Sequence, residues 1–383
     1  MRNCSRILSI YASDTSGVCS MLYELGGMTV VHDASGCNST YSTHDEPRWY
    51  RQESMIYISA LTEQDAILGN DEKFVADVTE TALTLNPAFI ALCGSPMPYM
   101  TGTDFDALGR EITDRTGMKV FALHTNGMNS YLRGGAEALR CIVEHFADPV
   151  YPKTAKPSLN ILGCTPLDFS LNGQVQSIRK FLEENGFEVL SVMAMDCTLE
   201  EIRKSPGAWC NLVVSSSGLD AARFMEKEFK IPYICGVPIG KEFSGKILEA
   251  LRKGETAFPC TACRSASGEK KKDSGVIHEP IYASSLGCAL SLEGGIPVRI
   301  LSPLETEKEL LVPGDNLIPY ETDCLEIFGD LAELAADEMY FPIVPAGIRF
   351  IPLPHEAYSG RCYRKKIRNI IANNFTVKEF TIC

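Results

Sequence analysis

Three cysteines stand where a fold could bring them to one place. The segment from Val30 to Cys37, VVHDASGC, is a short β-branched run that breaks into a glycine-containing turn, and FIALCGSP, from Phe89 to Pro96, does the same. Cys37 and Cys93 are therefore expected at strand ends. In an open α/β sheet, ligands gather beyond the carboxyl ends of strands, so the two thiols could face one site, with Cys19 joining from the preceding loop. Thiolates suit soft metal chemistry, and iron–sulfur clusters are commonly held by four of them. These three are too far apart for the compact ferredoxin run, whose ligands lie a few residues from one another, so the fold itself must assemble any such set. The only C-x-x-C, Cys260 and Cys263, sits in the polar stretch PCTACRSASGEKKKD. Two thiols are half of a tetrahedral site and no second pair stands nearby, so a surface loop is the default, with a cluster, zinc or redox role as the alternative.

Bulk properties narrow the function classes. A chain of 383 residues with 45% hydrophobic and 22% charged content can bury a sizeable core in two or three domains. Its formal charge of −13, with no compensating basic block, argues against a nucleic-acid partner. It leaves room for a docking protein with a basic patch. The amino-terminal apolar run is too short for a secretory signal, and no stretch reaches the roughly 18 apolar residues of a membrane span. A cytoplasmic protein with no membrane contact is expected. In that compartment the 15 cysteines are not a disulfide framework; most should be buried structural thiols, and the remainder suit metal or cluster chemistry in an anaerobic cell.

Strand and helix patterns alternate along the chain, which predicts parallel strands covered by helices. Residues 1–155 read as one α/β unit, with a helix from Asp104 to Arg115, a strand from Met118 to Thr125 and a helix ending near Phe146. The Pro- and Lys-rich run from Tyr151 to Ser158 is a plausible linker. Residues 156–255 form a βαβαβα pattern: a strand in LNILGCTP, a helix from Gln174 to Asn185 stopped by Gly186, the strand FEVLSVMAM, a Thr-capped helix in TLEEIRKSP, the strand CNLVVSSS and a helix through Phe229. Residues 256–274 read as a linker carrying the C-x-x-C. Residues 275–383 make a third α/β unit, with an acidic helix from Glu326 to Met339 and a basic amphipathic helix near the carboxyl end. The expected fold class is α/β, three Rossmann-like parallel-sheet domains. There is no GxGxxG for a dinucleotide and no GxxxxGK[ST] for ATP, so any ATP hydrolysis belongs to a partner.

Several pieces recur in one order. Cys19 precedes a strand; His32 lies in H-x-x-x-G-C with Gly36 and Cys37; Ala60 to Gly69, ALTEQDAILG, has the form S-x-T-E-x-D-x-x-x-G with Ala60 in the Ser place; and Cys93 and Gly94 precede MTGTDFDAL. Together they resemble the component 1 proteins of nitrogenase and nitrogenase-like reductases. That family includes the nitrogenase α and β subunits, their cofactor-assembly scaffold, the light-independent protochlorophyllide reductase and a nickel-tetrapyrrole reductase. The resemblance implies three domains around a central cleft. It also implies an iron–sulfur cluster, 4Fe-4S or P-cluster-like, at a subunit interface, with Cys19, Cys37 and Cys93 as ligands and a partner subunit completing the coordination.

His32, Gly36 and Gly94 would lie close to that cluster, the glycines giving room and backbone N–H groups that tune it. Ser215 stands where the nitrogenase α subunit carries the Cys that holds its molybdenum–iron cofactor, and a hydroxyl is a far poorer ligand for such a group. Ser215, His355 and Tyr358 are then pocket-lining residues; the segment HEAYSG resembles the family's H-x-x-x-Y-S-G but is one residue shorter.

The implied assembly is a homodimer, or a heterodimer or heterotetramer with another component 1 chain, served by an ATP-dependent iron–sulfur reductase that resembles the nitrogenase iron protein. The leading reading is a subunit that relays low-potential electrons through the cluster to a substrate or cofactor in the interdomain cleft. A non-catalytic scaffold on which a metal cluster is built is the second, and a cluster-free structural partner the third.

Overall fold

The computed structural model describes residues 5–36, 45–264 and 273–380. The first stretch runs α1 (Asp14–Leu22), β1 (Met28–His32), β2 (Met55–Ile58), α2 (Glu63–Leu68), α3 (Asp71–Leu85), β3 (Ile90–Gly94), α4 (Pro96–Thr101), α5 (Phe105–Thr116), β4 (Val120–Leu123) and α6 (Tyr131–Phe146). Its strands form a parallel sheet in the order β2-β1-β3-β4. The two-residue period of a strand sorts its side chains to opposite faces. Met28, Val30, Ile90 and Leu92 pack with Phe74 of α3 and Ile112 of α5, whereas Val31, Ala91 and Cys93 belong to the core that holds α1 and α6. That alternation turns Cys93 toward the helix carrying Cys19.

The approach of α1 to α6 is set by two glycines. A Cβ on Gly17 would stand 2.0 Å from the Tyr131 carbonyl oxygen, and one on Gly134 would stand 2.0 Å from that of Asp14. Only glycine permits such backbone contact. Asp14, buried at the start of α1, accepts hydrogen bonds from the Asn126 and Gly127 N–H groups at 3.0 and 2.8 Å, which ties the loop after β4 over the helix.

A second parallel sheet, β6-β5-β7-β8, is built from β5 (Ser158–Cys164), α7 (Pro166–Phe169), α8 (Gln174–Glu184), β6 (Glu188–Ala194), α9 (Leu199–Lys204), β7 (Cys210–Val213), α10 (Leu219–Phe229), β8 (Tyr233–Cys235) and α11 (Lys241–Lys253). Helix α9 starts with a capping box in which Thr198 and Glu201 satisfy each other's backbone N–H groups, and Gly186 follows α8 at φ +90.

The third sheet has the order β11-β10-β9-β12-β13 and is again parallel throughout. It comprises α12 (Pro259–Ala262), β9 (Asp273–Val276), α13 (Pro280–Gly294), β10 (Val298–Ser302), β11 (Asn316–Leu317), α14 (Glu321–Phe328), β12 (Leu331–Ala336), β13 (Arg349–Pro352) and α15 (Glu356–Ser359). The three sheets share one large core. Among the described residues, no helix is long and apolar enough to cross a membrane.

Four sequence expectations are corrected. Cys19 is inside α1, not in a loop. The expected helix from Glu326 to Met339 is the end of α14, the strand β12 and a 3-10 turn from Glu338. The Ala-, Leu- and Glu-rich run LAELAA favours a helix locally, but it pairs on both sides, with β9 and β13, and tertiary pairing overrides the local preference. Among the described residues no basic helix forms near the carboxyl end, where residues 360–362 and 364–366 are 3-10 turns. There the Arg364 guanidinium bonds Glu356 at 2.6 Å and the Ile367 carbonyl accepts from Asn172 at 3.0 Å, so contacts outside the segment hold its short turns in place and no helix is propagated. Nor do Cys260 and Cys263 themselves lie in an exposed loop. Cys260 is fully buried in α12, and its carbonyl accepts the Cys288 thiol at 3.0 Å.

Candidate functional site

Cys93 is the last residue but one of β3, in register with Val31 of β1, and Cys19 is in α1. The Cys19 thiol is close enough to affect the ionisation of Cys93, and Cys93 donates to the Val30 carbonyl at 3.6 Å. Both residues are buried, at 2% and 0% exposure. The neighbouring Cys19 thiol and then burial push the Cys93 thiol well above the usual range, with the charges of Asp14 and Glu137 acting in the same direction. Two soft donors from separate elements thus share one place, which fits a thiolate-bound metal in donor type; binding would have to displace their protons. Cys37, the third predicted ligand, lies outside the described residues. Among the described residues, no group of three or more His, Cys, Asp and Glu side chains is arranged to hold a metal ion.

The expected neighbours of the thiols behave differently from one another. His32 is a satisfied core histidine: its Nδ1 meets the Ser59 hydroxyl at 2.7 Å and its ring packs on Phe74 with centroids 4.4 Å apart. Burial lowers its pKa to about 4, so it is neutral. Gly94 is glycine for a packing reason, since a Cβ would meet the Phe105 ring at 2.7 Å. Its N–H donates to the Thr125 hydroxyl at 2.8 Å and is not free for a cluster sulfur. Gly36 has no described atom within 4 Å of the place a Cβ would take.

A second cluster lies where the three sheets meet, assembled from segments just beyond strand carboxyl ends. Asp168 follows β5, Ser216 follows β7, His278 and Glu279 follow β9, Asp337 follows β12, and His355 and Tyr358 follow β13; Tyr131 begins α6. The Tyr131 hydroxyl donates to Asp168, whose other oxygen accepts from Thr165 at 3.2 Å. His355 Nδ1 accepts the Ala357 N–H at 3.1 Å, which puts the ring proton on Nε2, 3.3 Å from Asp168 Oδ1. That pair is within ion-pair range but lacks hydrogen-bond alignment. His355 stacks on Tyr358 at 4.4 Å and meets His278 edge-on at 4.3 Å. Glu279 crosses between sheets: one oxygen accepts from the Ser216 N–H and hydroxyl, both at 2.7 Å, and the other from the Tyr282 N–H at 2.8 Å.

The electrostatics of this junction favour neutral forms. Burial, then the charge of Asp168, pushes Glu279 up to about 8 against the opposing hydrogen bonds from Ser216 and Tyr282. Burial and the neighbouring His355 push His278 well below its usual value. The Tyr358 hydroxyl, His278 Nδ1 and Glu356 Oε2 are buried without hydrogen-bond partners. Unmatched buried polar atoms are uncommon and costly, and these three together with His355 Nε2 mark a place with spare hydrogen-bonding capacity.

Of the pocket residues named from sequence, His355 and Tyr358 are in this junction. Ser215 is fully buried, but its hydroxyl turns back to Ser217 at 3.0 Å, and its neighbour Ser216 makes the contact with Glu279. Sequence reasoning missed Tyr131, Asp168, His278 and Glu279. The strand-end rule applied to the first cysteines would have found Asp168, since CTPLD follows the apolar run LNILG; β9, DSGV, is too polar to mark His278 and Glu279 in the same way.

Comparison with known proteins bears on both clusters. The nitrogenase iron-molybdenum cofactor biosynthesis protein NifE of Nostoc sp. is 27% identical over 215 residues, 54% of this chain and 43% of that protein. A light-independent protochlorophyllide reductase chain of Leptolyngbya boryana is 29% identical over 181 residues, 45% of this chain and 36% of that protein. The matched stretches therefore span less than half the length of these relatives. A solved structure described as "Nitrogenase Cp1 at pH 6.5" superposes with a TM-score of 0.71 at 15% identity, covering 99% of this chain and 93% of that one, which establishes a shared fold. The sequence profile of one family matches residues 17–256, which include Cys19, Cys93 and the Asp168 and Ser216 side of the junction, and the chain belongs to that family, the nitrogenase component 1 type oxidoreductases.

Proposed function

We propose that the chain is a subunit of a nitrogenase-like reductase, taking low-potential electrons from an ATP-dependent iron–sulfur reductase and delivering them to a substrate or cofactor at the three-sheet junction. The observation that carries this reading is the meeting of Cys19 and Cys93, from a helix and a strand far apart in the chain. They would hold an interfacial iron–sulfur cluster, 4Fe-4S or P-cluster-like, with Cys37. Such a cluster, when bound, supplies one-electron transfer at low potential.

The remaining work falls to the protein. The glycine-mediated contact of α1 with α6 fixes the position of Cys19. Ile67 and Leu68 of α2 and Met97, Tyr99 and Met100 of α4, all exposed and, in α4, directly following the Cys93 turn, offer an apolar face to a second component 1 chain. At the junction Glu279, protonated by burial, and the Tyr131–Asp168–His355 group would donate and reposition protons as a substrate is reduced. The junction has hydroxyl, carboxyl and imidazole groups and no thiolate at Ser215, a donor set that does not fit a molybdenum–iron–sulfur cofactor.

A scaffold role in metal-cofactor assembly is the second reading, favoured by the similarity to cofactor biosynthesis proteins and by the absent thiolate at Ser215. Anaerobically purified protein mixed with a reductase partner and ATP separates the two. Multiple turnovers of a substrate support the reductase; one-for-one transfer of metal to an acceptor, with no turnover, supports the scaffold.

A further inference from the structure

The amino ends of the second sheet face the side of the molecule opposite the junction, and there the chain has a cavity of about 680 Å³. Its wall is formed where Ser158 opens β5, Phe187 precedes β6, Cys210 opens β7 and Pro232 precedes β8. Lys153, Lys230, Arg252 and Lys253 line it, and no Asp or Glu does. In a chain with 36 basic and 49 acidic residues, four cations with no carboxylate around one concavity is a marked departure.

The ordinary explanation is that the cations offset helix carboxyl ends, since α8, α10 and α11 all terminate here. Three helix ends at roughly −0.5 each come to roughly −1.5, which four unit charges exceed. Nor are the outer two consumed elsewhere: among the described residues neither Arg252 nor Lys253 makes an ion pair, and both are exposed. Lys153 and Lys230 each give a single bond to a backbone carbonyl, at 2.6 and 2.7 Å, which leaves ammonium protons to spare.

Trp209 supplies a second kind of recognition. It is 47% exposed in this wall, and its indole N–H is fixed to the Thr154 carbonyl at 2.9 Å, so a large aromatic surface is held open in one orientation. A polar handle that anchors the ring while leaving its body uncovered suits stacking by a flat ligand. The cavity volume lies within the range typical of small-molecule sites.

We propose that this basic, Trp-walled cavity binds a nucleoside phosphate, its base stacked on Trp209 and its phosphates held by Lys153, Lys230, Arg252 and Lys253. The site needs no glycine-rich loop because side-chain ammonium and guanidinium groups, not backbone N–H groups, meet the phosphates. It is independent of the cluster and of the junction, so binding is testable on protein that holds no iron.

Isothermal titration with ADP is the direct test, with adenosine and tripolyphosphate as separate arms. ADP is expected to bind saturably, and more tightly than either fragment. Trp209→Ala and Lys253→Glu should each weaken ADP by about tenfold or more, in line with the free energy of one stacked base. Lys366→Glu, on a different surface, should leave it unchanged. Because Arg252 and Lys253 are exposed helix-end residues, Arg252→Glu serves as a folded variant should Trp209→Ala be unstable. No saturation by ADP, undiminished binding to both Trp209→Ala and Lys253→Glu, or tripolyphosphate binding as tightly as ADP would each overturn the proposal.

Discussion

The thiol pair and the three-sheet junction are both built at strand carboxyl ends, yet they are opposite in chemistry. Cys19 and Cys93 are soft donors contributed by one sheet and the helix packed on it, with few polar partners of their own. The junction is hard and proton-rich, with three carboxyl groups, two imidazoles and two phenols drawn from all three sheets and cross-linked by Glu279. Under the proposed function, the two regions divide the labour. A metal cluster needs thiolates and a local frame, whereas proton handling needs buried titratable groups from several elements with hydrogen-bonding capacity left over.

The sharpest break between the two regions is iron. Cys19→Ala, Cys93→Ala and Cys37→Ala should each abolish most of the iron and the broad visible absorption of anaerobic protein. Cys260→Ala and Glu279→Gln should retain both. Equal loss in Cys260→Ala would move the cluster away from the thiol pair. Gly134→Ala tests the frame behind the thiols. The added Cβ would meet the Asp14 carbonyl and push α1 off α6, so iron content and thermal stability should fall together, by about 1–3 kcal/mol in the latter on the scale of overpacked cores.

At the junction, Glu279→Ala leaves the Ser216 N–H and the Tyr282 N–H without acceptors. A stability loss of about 2–4 kcal/mol in denaturant titration is expected, with iron content unchanged. Glu279 should also set a pH dependence. Its folded pKa, about 8, is above the ordinary carboxyl value of 4.5, so the folded state binds the proton more tightly than the unfolded state. Its contribution is most favourable below about pH 4.5 and is lost as pH rises toward about 8, opposite in sign to a carboxylate held by a cation. The melting temperature should therefore decline across that window in the native protein, beyond any decline in Glu279→Gln; parallel curves would show that Asp168 and the His278–His355 pair, which face Glu279, dominate instead. The smallest effect is expected for Ser215→Ala, which removes a hydroxyl that meets the Ser217 hydroxyl at 3.0 Å and accepts the Ser217 N–H at 3.3 Å, and should cost about 1 kcal/mol with iron and junction intact.

The misreadings share a cause. LAELAA in β12 and the basic carboxyl segment both look helical by local composition, and both are held by partners outside the segment: β9 and β13 for one, Glu356 and Asn172 for the other. Cys260 looked exposed because its neighbours are polar, but α12 packs it against α13. Ser215 was singled out by the resemblance, yet the adjacent Ser216 is the residue that reaches across, a distinction that backbone direction at the end of β7 makes and composition cannot.

Sequence alone determined the alternating strands and helices, because apolar periodicity and turn residues act within a few positions, and it placed Cys93 at the carboxyl end of a strand. Only the tertiary structure decided which of these groups meet. The pleat of β3 turns Cys93 toward α1, two glycines let α1 come close to α6, and three sheets bring Asp168, Glu279 and His355 together across long stretches of chain. Such contacts depend on side-chain direction and packing between elements remote in sequence, and no local pattern encodes them.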